Sequence, residues 1–391
     1  MAIELAYVII TPYSLYKSRT GGILARLISR TGLDLVAARM FGPSPQLVRE
    51  YADIVVSASD QYERQIQEAI RLYIQENFGP DPKTGRRRRV MVLLFRGENA
   101  VRKVRSVVGH ISPDRRGGET IRDTYGDFIV DADGQLRYFE PAVLAAPDTH
   151  EAEAKLRLWA RYSDTDAGLL EDVVNYAPGE TGERTLVLIK PDNFLFPTGR
   201  PGNVIDFFSR TGLFIVAIKV HRMSTDEAVE FYGPVREILR NRFNDVVAAR
   251  SAAVIETEFG FKVPDPVKQQ LGQLLGPIAG EQQFENIVRF MSGRSPTECD
   301  PATSEQPGTQ KCIALVYEGV NAVQKIRDVL GPTDPSKAPP GSIRREFGST
   351  VMINAAHASD SVENAQREMT IVRLGRENLF RKEVEDYFGQ L

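Results

Sequence analysis

The chain repeats itself, and a repeat constrains the fold more than any composition can. Arg30-Thr31-Gly32-Leu33 with Val36-Ala37 returns as Arg210-Thr211-Gly212-Leu213 with Val216-Ala217, offset by 180 residues. Gly97, Asn99-Ala100-Val101, Lys103, Arg105 and Gly109 return as Gly319, Asn321-Ala322-Val323, Lys325, Arg327 and Gly331. Ile121-Arg122 returns as Ile343-Arg344, and these later blocks are offset by 222 residues. One unit duplicated in tandem explains both offsets if the second copy carries extra residues between the blocks. Pro and Gly punctuate the stretch around 163–183, which reads as the linker. Two domains are expected, 1–165 and 180–391.

Hydrophobic periodicity orders the elements of the second copy. Thr185–Ile189, Leu213–Val220, Ile313–Tyr317 and Ser349–Ile353 read as strands. Gly202–Arg210, a segment capped by Ser224 and running through Tyr232, and Ala322–Leu330 read as helices. The first copy shows the same order, with strands at Tyr7–Ile10, Val90–Leu94 and Asp127–Val130. The class is α+β: two tandem ferredoxin-like (βαββαβ) sandwich domains with antiparallel sheets. Two stretches read as insertions: 244–282, with an apolar-periodic helix around Val267–Leu275, and 293–310, a polar Pro/Gly-containing mobile loop.

The 391 residues are 42% hydrophobic and 26% charged, the balance of a soluble globular protein. A net charge of -3 gives no pull toward nucleic acid or anionic membrane. The Arg86–Arg89 run reads as a solvated turn. Cys299 and Cys312 are the only cysteines, so no disulfide framework is implied and a reducing cytoplasm is expected. They form no zinc-ligand pattern, and no metal site is expected. The first residues carry no signal-peptide pattern, and no apolar run approaches a spanning helix.

Chemistry concentrates in 342–368. His357 lies between Asn354 and a Ser/Asp cluster, with Arg344 and Glu368 nearby in sequence. A neutral imidazole is a competent nucleophile near pH 7. The flanking donors and the cation suit a phosphoryl group, whose charge must be held while it transfers. His110, His150 and His221 have no such surroundings and read as structural or exposed.

The second copy resembles nucleoside diphosphate kinases over about 184–231 and 311–370. The resemblance rests on Lys190-Pro191-Asp192, Tyr317-Glu318-Gly319-Val320-Asn321, Gly331 through Thr333 to Pro335, Gly341-Ser342-Ile343-Arg344, and Asn354-Ala-Ala-His357-Ala-Ser359-Asp360-Ser361. It implies transfer of a γ-phosphate from a nucleoside triphosphate to a diphosphate, in ping-pong fashion through phosphohistidine at His357. Glu368 would hold the other ring nitrogen, with Ser359 supporting it. Lys190 and Tyr232 would contact the transferring phosphoryl or the ribose edge. Arg327, Thr333 and Arg344 would bind the diphosphate, and Asn354 the sugar hydroxyl or bridging oxygen. Mg²⁺ would arrive with the nucleotide. The aromatic that stacks on the base falls beside Gln283, where Phe284 is the candidate, with Phe243 before the insertion.

The first copy departs from this pattern. Thr11-Pro12-Tyr13 stands where the lysine motif belongs, Ile111 replaces the threonine, and Ala145 falls at the counterpart of His357. Arg105 and Arg122 survive. This half is expected to act as an internal partner, making a pseudo-dimer within one chain; homo-oligomerisation stays open. The rival expectation is a nucleotide-binding pseudoenzyme with a regulatory or scaffold role.

Overall fold

The computed structural model describes residues 2–56, 64–111, 118–375 and 377–391. In the first half, β1 (Ile3–Ile10) leads through α1 (Pro12–Tyr16) and α2 (Thr20–Thr31) to β2 (Asp34–Phe41). Next come α3 (Pro45–Val55), α4 (Arg64–Asn77), β3 (Val90–Glu98), α5 (Ala100–Val108) and α6 (Ile121–Tyr125). The half closes with β4 (Asp127–Val130), β5 (Leu136–Glu140), β6 (Val143–Ala145) and α7 (Thr149–Arg161). The second half begins with β7 (Glu183–Ile189), α8 (Arg200–Phe208) and β8 (Phe214–His221). Then follow α9 (Thr225–Phe259), α10 (Asp265–Ser292), β9 (Cys312–Gly319) and α11 (Ala322–Leu330). It ends with α12 (Ile343–Phe347), β10 (Ala356–Ala358), α13 (Val362–Ile371) and α14 (Leu379–Phe388).

The duplication read from the sequence is explicit in the sheets. One runs β2-β3-β1-β6 and the other β8-β9-β7-β10, the same order of corresponding strands. The central strands pair antiparallel, β1 with β3 and β7 with β9. This is the expected ferredoxin-like arrangement, twice. Turn chemistry repeats as well: Asn99 and Asn321 open α5 and α11 at φ 52° and 55°, and Gly109 and Gly331 close them at φ 88° and 82°. Asn and Gly tolerate these left-handed positions at least cost.

Two strand assignments differ from expectation. Ser349–Ile353 is a turn, closed by Ser349 N–H on the Ile353 carbonyl at 2.8 Å, and the last strand is the three-residue β10. Val351 in this run is 53% exposed, so its apolar character marks no buried strand. In the first half, Asp127–Val130 pairs with β5 in a separate two-stranded hairpin, and β6 takes the fourth place in the main sheet.

The chain divides into two compact units, residues 1–220 with 313–391, and 221–312. The boundary expected near 163–183 therefore marks a change of sheet inside the first unit. There, α2 and α8 meet at glycines: a Cβ on Gly21 would lie 2.5 Å from the Gly202 carbonyl oxygen, and one on Gly202 would lie 2.3 Å from that of Gly21. Arg89 donates to the Ile215 carbonyl at 2.7 Å, and Leu170 N–H to that of Val216 at 3.1 Å, so the β8 edge is covered from the first half and the linker. The second unit is built on α9 and α10. The Ser224–Glu227 capping box starts α9 as expected, but the helix continues through Pro234 to Phe259, well beyond Tyr232. The 293–310 stretch is tied down within this unit by Gly308 N–H on Met223 O (3.1 Å) and Thr309 N–H on Ser292 O (2.9 Å).

Candidate active site

β7 and β10 set the site. Antiparallel register places His357 opposite Leu188 and Ala356 opposite Ile189, so the chain leaving β7 at Lys190 runs beside the chain entering β10. Ser361 caps α13, accepting from Asn364 N–H at 3.0 Å, and Glu368 sits two turns into that helix. Two turns bring its carboxylate back over β10. His357 Nε2 lies 3.0 Å from Glu368 Oε2, and Ser359 Oγ donates to the same oxygen at 2.7 Å. Glu368 is 5% exposed and Ser359 fully buried, so both are fixed, while the imidazole is about a quarter exposed.

Just ahead of β10, Lys190 Nζ donates to Asn354 Oδ1 at 2.9 Å and to the Met352 carbonyl. Asn354 in turn donates to the carbonyls of Thr333 (3.1 Å) and Val351 (2.8 Å). Burial pushes the Lys190 ammonium down to about 8 from its ordinary 10.5; Asp192 pulls the other way, and Arg344 adds to the depression. Burial also raises the Asp192 carboxyl above its usual range, against Lys190 and Arg200. Arg344 donates to Gly331 O at 3.0 Å and to Ala356 O at 3.2 Å, which ties the end of α11 to the residue before the histidine.

His357, Glu368, Ser359, Lys190, Asn354 and Arg344 are thus joined by direct bonds or one-residue steps, and Thr333 joins through its carbonyl. The Thr333 side chain is exposed, as is Arg327 on α11. Tyr232 and Phe284 belong to the second compact unit. Tyr232 is half-buried beside Phe231, centroids 5.0 Å apart. Phe284 is 1% exposed with the Arg236 guanidinium 5.1 Å from its ring centre. A ring buried this way presents no open face to a base, so the platform role expected of Phe284 does not fit its surroundings. Sequence reading passed over Arg200, which reaches Asp192, Asn193 and the Phe347 carbonyl; only its place soon after Lys190-Pro191-Asp192 hinted at it. His221, read as structural, is buried against Glu227 at 3.1 Å.

A family model described as nucleoside diphosphate kinase matches residues 4–159, 183–298 and 259–374, most of the chain. This chain belongs to the nucleoside diphosphate kinase family. The last two segments overlap at 259–298, inside the helical unit, as an insertion dividing one copy would produce. Among relatives, the nucleoside diphosphate kinase of a Nitratiruptor species is 31% identical over 197 residues, 50% of this chain and 99% of its own. That of Wolinella succinogenes is 32% identical over 195 residues, 50% of this chain and 98% of its own. Among solved structures, an NDP kinase from Pyrobaculum aerophilum is 28% identical, covers 49% of this chain and 95% of its own, and has a TM-score of 0.34.

The first half of the chain has different side chains at the matching positions. β6 pairs Leu144 with Ile9, as β10 pairs His357 with Leu188, so Leu144 rather than Ala145 holds the histidine's place. The helix caps agree: His357 is four residues before Ser361, and Leu144 four before Asp148. Seven residues after the caps stand Glu368 and, in the first half, Lys155, which is buried and paired with Glu151 at 2.8 Å. Arg122 keeps the Arg344 pattern, donating to Gly109 O (2.8 Å) and Val143 O (3.1 Å).

Proposed function

We propose that the second half is a nucleoside diphosphate kinase working through phosphohistidine at His357. The observation carrying this reading is the His357–Glu368–Ser359 chain of hydrogen bonds beside the buried Lys190. With Nε2–H donated to Glu368, the ring's lone pair lies on Nδ1. Nδ1 attacks the γ-phosphorus, the bond to the bridging oxygen breaks, and the nucleoside diphosphate departs. The ring becomes positive while keeping its Nε2 proton, and the Glu368 carboxylate stabilises that charge. An incoming diphosphate then attacks phosphorus, the P–N bond breaks, and the neutral imidazole returns.

Lys190 supplies positive charge to the transferring group. Arg327, Thr333 and Arg344 hold the diphosphate, and Asn354 meets the sugar or bridging oxygen while keeping Lys190 in place. Tyr232 carries the role that the family pattern gives it. The base platform is a residue other than Phe284. Mg²⁺ enters as part of the nucleotide complex and offsets phosphate charge. The first half acts as a built-in partner, and the setting is the cytoplasm.

Incubation with γ-labelled ATP and Mg²⁺ tests the reading. The chain should acquire an acid-labile label, pass it to added GDP, and lose it in His357→Ala. Failure to label would favour a nucleotide-binding regulatory role, for which the buried Phe284 and the emptied first site are the motivating observations.

A further inference from the structure

Ala355, two residues before the histidine, sits at φ 70°, where L residues are crowded by their own Cβ. The Lys190 backbone and two side chains that the transfer does not use, Asp192 and Asn193, hold it there. Its carbonyl accepts from Lys190 N–H at 3.0 Å and Asn193 Nδ2 at 2.7 Å, and its N–H donates to Asp192 Oδ2 at 3.3 Å. Asp192 and Asn193 are 5% and 1% exposed, and one guanidinium orients both. Arg200 donates from Nε to Asn193 Oδ1 at 2.9 Å and from Nη2 to Asp192 Oδ2 at 3.0 Å. The same guanidinium reaches the Phe347 carbonyl at the end of α12, the helix that carries Arg344.

We infer that Arg200 is a positioning residue for His357: by locking Asp192 and Asn193 onto Ala355, it sets the direction in which β10 presents the imidazole. This rests on reading His357 as the nucleophile.

The first half separates positioning from folding. Ala142, at φ 59°, stands in the place of Ala355. Its carbonyl accepts from Thr11 N–H at 3.2 Å and Ser14 Oγ at 2.9 Å, the counterparts of Lys190 N–H and Asn193. Arg19 donates to the Tyr125 carbonyl at 2.7 Å, as Arg200 does to Phe347. But Tyr13 occupies the place of Asp192, and the carboxylate on Ala142 N–H is Glu140 at 3.0 Å, hydrogen-bonded by Thr11 and Tyr73, with Arg19 acting on it through charge and not through a fork of hydrogen bonds. The arginine bond to the helix end therefore belongs to the fold, since both halves keep it. The fork onto Asp192 and Asn193 accompanies the histidine.

The test compares Arg200→Met, Asp192→Asn and Arg19→Met in the full chain, by labelling with γ-labelled ATP and by steady-state turnover. Misaiming a nucleophile by an ångström costs rate, so Arg200→Met should lower kcat on the order of 10- to 100-fold while KM moves less than about threefold. Asp192→Asn should reproduce the fall, and the double variant should be no slower than Arg200→Met, because the two act through one contact. Arg19→Met should keep the parent kcat. A raised KM at unchanged kcat would place Arg200 on the substrate and overturn the inference, as would equal rates for Arg200→Met and Arg19→Met. If Arg200→Met fails to fold, Asp192→Asn decides alone, and a parent-like kcat there counts against us. An unlabelled parent chain would sink the kinase reading itself, whereas a labelled parent with a fully active Arg200→Met sinks this step only.

Discussion

Single residues separate the two halves at otherwise matching backbone positions. Where the second half has a histidine backed by a carboxylate, the first has Leu144 and a buried lysine, Lys155. A positively charged phosphorylated ring placed there would face a cation instead of an anion. Putting the histidine back should therefore not restore chemistry: Leu144→His in a His357→Ala background is expected to give no acid-labile label above that background. Glu368→Gln in the second half keeps the shape but removes the charge, and kcat should fall roughly 100-fold with KM little changed, in line with loss of one transition-state electrostatic contact. Lys190 gives a pH signature. With its amine pushed down to about 8, the free protein loses that cation above this pH, so kcat/KM should decline there, and Lys190→Arg should remove the decline. The stability effect has the opposite slope. Between about 8 and 10.5 the unfolded chain holds the proton and the folded chain does not, so stability rises with pH across that window. Urea midpoints should show the rise, and Lys190→Met should flatten it.

Elements show how far the sequence could be read. The strands with continuous apolar runs, the Ser224 cap and the Ala322–Leu330 helix were legible because each depends on local pattern. Ser349–Ile353 reads as a strand in sequence because an apolar run looks the same whether it pairs as a strand or curls to aim a carbonyl, here that of Met352, at a lysine. The sequence alone puts Ala145 at the histidine's place, one residue from Leu144, because only pairing with β1 fixes that register. The length of α9 was hidden by Pro234, which local rules read as a stop. What sustains the long helix is its partner: α10 carries Gly272, Gly276 and Gly280 on one face, against Asn244 and Arg240 of α9. A Cβ on Gly280 would lie 2.5 Å from Arg240 Cα and 2.6 Å from its N, so the helices could not keep their spacing. Gly280→Ala should cost about 1–3 kcal/mol, despite alanine's better helix propensity, as forced overpacking does. Hydrogen exchange across 221–312 should then accelerate.

At the scale of the whole molecule, the tandem repeat was legible but the way its first compact unit is closed was not. The last helix of the second half packs on the first: Phe380 meets Phe41 edge-on at 5.5 Å, and Phe41 meets Trp159 at 4.9 Å. Arg381 pairs with Asp164 at 2.8 Å, Asn378 donates to Ser163 Oγ at 2.7 Å, and Tyr387 donates to the Ile3 carbonyl at 2.7 Å. The contacts made by 378–391 reach residues more than 200 positions away, and nothing local in that stretch announces them. Phe380 is 1% exposed and Val384 fully buried, so a 184–391 fragment would turn both to water along with the β8 edge that Arg89 and Leu170 cover. Burial of this kind is worth several kcal/mol: Phe380→Ala should lower stability by about 3–5 kcal/mol. Trp159 is the chain's only tryptophan and lies in the first half, so its fluorescence reports that half directly. A change at position 380 should move the unfolding midpoint seen by Trp159, which two independently folding halves would not allow. A fragment 184–391 that melts and turns over nucleotide like the full chain would show instead that the first half is dispensable to the second.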